Sequence, residues 1–100
     1  MSKNKKYSSL EELRIDIDKL DFKLVDLISD RTHLIREAST FKNSIEEVKA
    51  DDRIEFIMQR VRRRAIELGI SPNMLSDLFT IMINEMVESE IAEFRNTKTF

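Results

Sequence analysis

The stretch that decides the fold is "LEELRIDIDKLDFKLVDLISDRTHLIREASTFK", Leu10 to Lys42. Its apolar positions are Leu10, Leu13, Ile17, Leu20, Leu24, Leu27, Leu34, Ala38 and Phe41. Spacings of three and four alternate, with one gap at position 31, which makes a heptad seam on a single helix. Ser9 and Glu12 supply a capping box at its start. At 1.5 Å per residue such a helix extends about 50 Å. A monomer of this length has a radius of gyration of only about 13 Å. The seam therefore predicts a second chain beside the first.

The rest of the chain has the same character. It has 100 residues, 41% of them hydrophobic and 36% charged, with one Gly, one Pro and no Cys. That length fits one domain with a limited core. Few turn residues and many charges predict long amphipathic helices, an all-α protein. A second helix is expected from about Asp52, where Asp52 and Glu55 repeat the capping-box spacing, to Gly69. Its apolar face is Ile54, Ile57, Val61, Ala65 and Leu68. Ser71 and Pro72 then supply an N-cap and a first helical residue. The third helix carries Leu75, Leu78, Phe79, Met82, Ile83, Met86, Val87, Ile91 and Phe94. Residues 1–9 and 95–100 read as tails, residues 10–94 as the helical domain, and residues 43–52 as a loop.

Composition also excludes functions. Without Cys there is no disulfide, thiolate zinc site or thiol nucleophile. No apolar run suits a signal peptide or a membrane span, so a cytoplasmic protein is expected. The net charge of -2 favours neither nucleic acid nor an anionic membrane as partner. "RVRRR", Arg60 to Arg64, splays around a helix amid glutamates and reads as a solvated face. His33 has no second ligand at metal spacing. No metal site, cofactor site or Ser/His/Asp arrangement is expected.

Polar residues in apolar places point to a site. Arg31 fills the gap in the seam, and Glu90 lies on the buried stripe of the third helix. A buried carboxylate is costly unless paired or protonated. Arg14 and Lys42 stand in the heptad column beside the seam, roughly 42 Å apart along a straight helix. One small molecule cannot be gripped by both from the same chain. Two antiparallel copies would bring Arg14 of one near Arg31 and Lys42 of the other. Arg53 joins them if the 43–52 loop reverses the chain. Four cations and Glu90 would then enclose an anion-binding pocket.

These residues resemble the all-helical chorismate mutase class. "LRIDIDKLDFKLVDLISDR", Leu13 to Arg31, is similar to that family's first helix, and Arg14, Arg31, Lys42 and Arg53 fall where the family places ligand-binding cations. The resemblance implies an intertwined homodimeric helical bundle, three helices per chain, with Arg14 contributed across the interface. It implies a small dicarboxylate substrate, bound by Arg14, Arg31, Lys42, Arg53, Ile54, Met86 and Val87. Lys42 and Glu90 would be catalytic, donating to the ether oxygen of the breaking bond. Such pericyclic chemistry needs a held conformer and placed donors, not a nucleophile.

The resemblance also suggests a branch, through one stretch and two positions. "ASTFKNSIEEVKADDR", Ala38 to Arg53, is similar to the loop of the isochorismate-pyruvate lyases of salicylate biosynthesis. Typical mutases place Glu, which binds the ring hydroxyl of chorismate, where this chain has Ile54. Met86 likewise replaces a polar residue. The lead expectation is therefore an isochorismate pyruvate lyase with secondary chorismate mutase activity. Chorismate mutase and amino-deoxychorismate mutase stand as alternatives, and a non-enzymatic dimeric regulator is the rival class. Bacterial relatives often carry Gln at the Glu90 position, and Glu donates only when protonated.

Overall fold

The structure, a computed structural model, describes residues 6–98, with side chains to residue 96. The described residues form helices and no strands: α1 (Leu10–Ser39), α2 (Ile45–Lys49), α3 (Asp51–Leu68) and α4 (Pro72–Lys98). The three long helices α1, α3 and α4 are those expected. No helix among the described residues is long and apolar enough to cross a membrane.

The caps explain most of the boundaries. The Glu12 amide donates to Ser9 Oγ at 3.1 Å, as the capping box requires. The Glu12 carboxylate reaches one residue further back than expected, to the Ser8 amide at 3.1 Å and to the Ser8 hydroxyl. Gly69 closes α3 at φ 73, its N–H bonding Ala65 and Ile66 carbonyls. That left-handed geometry suits a residue without Cβ. Ser71 Oγ accepts the Met74 amide at 3.1 Å, and Pro72 opens α4. That helix continues past Phe94 to Lys98.

Three boundaries differ from expectation. First, α1 stops at Ser39, not Lys42. The Ser39 and Thr40 hydroxyls donate back to the Arg36 and Glu37 carbonyls at 2.6 and 2.7 Å. The Thr40, Phe41 and Lys42 amides bond three residues back, tightening the chain out of the α register. Second, the 43–52 segment contains α2. Ser44 caps it by accepting the Glu47 amide at 3.1 Å, and Glu47 accepts the Asn43 amide at 2.6 Å. Third, α3 begins at Asp51 without the Asp52–Glu55 capping box. Its N-cap is Ala50, which makes no side-chain cap bond. Asp51 and Asp52 instead lie in its first turn, where carboxylates complement the helix dipole.

Ala50 has two tasks at once. Its N–H closes α2 on the Glu46 carbonyl, and its carbonyl accepts the Ile54 amide of α3, both at 3.1 Å. The residue therefore sits at φ 36, ψ 58, in the left-handed region that costs an L side chain about 1–2 kcal/mol.

The chain divides into two compact units, one through Leu34 and one from Ile35 onward. The first unit is the N-terminal segment and most of α1. Tyr7 Oη donates to Asp16 Oδ2 at 2.8 Å, fastening that segment to the helix, and Asp16 is buried. Its seam residues Leu10, Ile17, Leu20, Leu24, Leu27 and Leu34 are all exposed, Leu34 by 70%. In the second unit α4 packs against both α2 and α3. Its core is Val48 of α2, Ala65 of α3, and Ile83 and Met86 of α4.

Candidate functional site

The short α2 and the turns after α1 carry Lys42 to α4. Lys42 Nζ stands 3.2 Å from Glu90 Oε2, although the residues lie 48 positions apart. The Glu90 side chain is 3% exposed and that of Lys42 is 23% exposed. A single carboxyl oxygen takes the lysine. Glu90 Oε1 is buried and has no hydrogen-bond partner among the described residues. An ammonium group has three donors, so Lys42 keeps further N–H groups beyond the one aimed at Glu90.

The pair faces a cleft of about 300 Å³ lined by Ser39, Thr40, Lys42, Val48, Glu90, Glu93 and Phe94. These residues come from the end of α1, the turns after it, α2 and α4, all in the second unit. Val48 and Phe94 supply apolar wall, while Ser39 and Thr40 supply hydroxyls already engaged with backbone carbonyls. The lining carries one cation against two carboxyl groups. A dicarboxylate would need further cations to be held here.

The expected site residues are placed as follows. Lys42 and Glu90 are brought together. Met86 is buried and Val87 half-buried, one turn before Glu90 on α4. Ile54 is half-buried in the first turn of α3. Arg53 is exposed, and its guanidinium carbon lies 5.3 Å from the centre of the Phe56 ring. None of Arg53, Ile54, Met86 and Val87 lines the cleft. Arg14 and Arg31 belong to the first unit, Arg14 exposed and Arg31 half-buried. Because α1 ends at Ser39, Lys42 lies beyond the helix that carries Arg31.

Residues Glu93 and Phe94 were missed as site residues. The signal was available: they follow Glu90 by three and four positions, which places all three on one face of α4. Ser39 and Thr40 carry no such signal, since they enter the cleft only because α1 breaks there.

The family model for chorismate mutase type II matches residues 13–91, most of the chain. The chain belongs to the chorismate mutase type II family. Isochorismate pyruvate lyase of Pseudomonas aeruginosa is 26% identical over 91 residues, covering 91% of this chain and 90% of the relative. Chorismate mutase of Methanocaldococcus jannaschii is 27% identical over 92 residues, covering 89% of this chain and 93% of the relative. Membership of the chorismate mutase family implies an enzyme acting on a chorismate-like small molecule. The matched span contains Arg14, Arg31, Lys42, Arg53 and Glu90.

Proposed function

We propose that the protein eliminates pyruvate from isochorismate, leaving salicylate, and rearranges chorismate to prephenate as a secondary activity. The observation that carries this reading is the pairing of Lys42 with buried Glu90, whose Oε1 is unpartnered among the described residues. When Glu90 is protonated on Oε1, its O–H donates towards the ether oxygen of the breaking bond. Lys42 donates to the same oxygen, where negative charge develops. Donors fixed in advance in a shielded site stabilise such charge without reorganising.

Arg14, Arg31 and Arg53 hold the two carboxylates, each through a planar fork that suits bidentate bonding. Arg14 comes from a second copy in a homodimer. The exposed seam of α1, with Leu24 56% and Leu27 65% exposed, supports such a partner. Contiguous apolar surface of this kind is seldom left to water.

The order of the two activities rests on Ile54 and Met86. Both are apolar, and neither can hydrogen-bond a ring hydroxyl at the position that distinguishes chorismate. The second reading, chorismate mutase as the main activity, is favoured by the 27% identity to a protein of that name. Incubation with isochorismate and chorismate separately, following salicylate, pyruvate and prephenate, tests both. Faster release of salicylate and pyruvate supports the lead reading. Faster formation of prephenate reverses the order. An amino-deoxychorismate arm tests the amino-substituted alternative. No turnover of any of the three supports the rival, a non-enzymatic dimer.

A further inference from the structure

Arg53, Phe56 and Arg60 follow one another on α3 at spacings of three and four, which puts them on one helix face. The Arg53 guanidinium carbon is 5.3 Å from the Phe56 ring centre, and that of Arg60 is 5.4 Å from it. Both distances lie within the range of a cation–π contact. Phe56 is 47% exposed, so its ring lies open to both guanidinium groups. Neither arginine has a carboxylate partner among the described residues. Arg53 does not line the cleft.

We propose that Phe56 is a positioning residue that holds Arg53 on its ring when no substrate is bound. This rests on the reading of Arg53 as a ligand of a substrate carboxylate. Binding then requires the guanidinium to leave the ring. Arg60 keeps the ring partnered after Arg53 has gone. A competent state that is only fractionally populated weakens apparent affinity by that fraction. Removing the ring face should therefore strengthen binding, an effect opposite in sign to ordinary loss of packing.

The test is steady-state kinetics on the full-length wild type and four variants with the substrate that the wild type turns over. Phe56→Leu keeps apolar bulk without the ring and should lower KM about two- to five-fold, with kcat unchanged. Phe56→Tyr keeps the ring and should retain the wild-type KM. Arg53→Ala should raise KM, and adding Phe56→Leu to it should change nothing further. An unchanged or raised KM in Phe56→Leu overturns the proposal, as does an equal effect of Leu and Tyr. So does the same Phe56→Leu effect with and without Arg53. If Arg53→Ala itself leaves KM unchanged, Arg53 is not a substrate ligand, and the reading beneath the proposal fails with it.

Discussion

Lys42 and Glu90 form an ion pair at 3.2 Å whose second carboxyl oxygen is buried without a partner among the described residues. Half of the carboxyl group is thus committed to the lysine, and half remains for a donor role. The role depends on a proton, because an ionised carboxylate only accepts. In the proposed reading Glu90→Gln, whose amide keeps an N–H donor, should retain turnover, whereas the isosteric but donorless Glu90→Leu should lose it. Steady-state kcat of both variants checks this. An equal loss in both would make Glu90 a structural partner of Lys42 and nothing more.

In the proposed reading Ile54 sets the preference between substrates. Ile54→Glu should shift the ratio of the two catalytic efficiencies towards chorismate, because the new carboxylate can accept from the ring hydroxyl. The measurement is kcat/KM for isochorismate and chorismate on both proteins, with thermal unfolding as a control for misfolding. An unchanged ratio would leave the lyase preference without its main support.

In the proposed reading Arg14 reaches the site of Lys42 from a second chain. Sedimentation at micromolar concentration should give two chains per particle. Arg14→Ala and Lys42→Ala should each be nearly inactive, and mixing them under subunit exchange should restore activity. Half the dimers become heterodimers with one intact site of two, so recovery should approach about a quarter of wild type. A folded, active monomer would contradict the shared site.

Much of this architecture was legible beforehand, and the reasons differ by element. The start of α1, the end of α3 and the start of α4 are written in local chemistry: Ser9, Gly69 and Ser71–Pro72 each satisfy orphan backbone groups. Glu90 stood out because a carboxyl group on an apolar stripe needs a partner, and Lys42 is that partner. α2 was overlooked although Ser44 and Glu47 have capping-box spacing. Five residues are too few for a helical period to show. The early end of α1 comes from hydroxyls that bond backwards, a competition periodicity does not register. The contact between Phe56 and Arg53 needed the structure, because a ring three residues on is an ordinary neighbour in a sequence.

Ala50 offers a test of the fold apart from the chemistry. At φ 36 it occupies a conformation that favours glycine. Ala50→Gly should stabilise the protein by about 1 kcal/mol, relieving the Cβ clash at some cost in unfolded-state entropy. In a domain of this size that raises Tm by roughly 4–8 °C. Calorimetry at one fixed protein concentration checks it, and a lowered Tm would contradict the strained junction between α2 and α3.

The most direct test of the account is the effect of Lys42→Ala on turnover of isochorismate, with products identified. The wild type should release salicylate and pyruvate in equal amounts. A donor that acts at the developing charge contributes about 10²–10³-fold to kcat. Lys42→Ala should lose that much in kcat with a smaller change in KM, as expected when an interaction is made mainly in the transition state. A variant that folds and turns over isochorismate as fast as the wild type would contradict the account, as would a wild type that releases neither product.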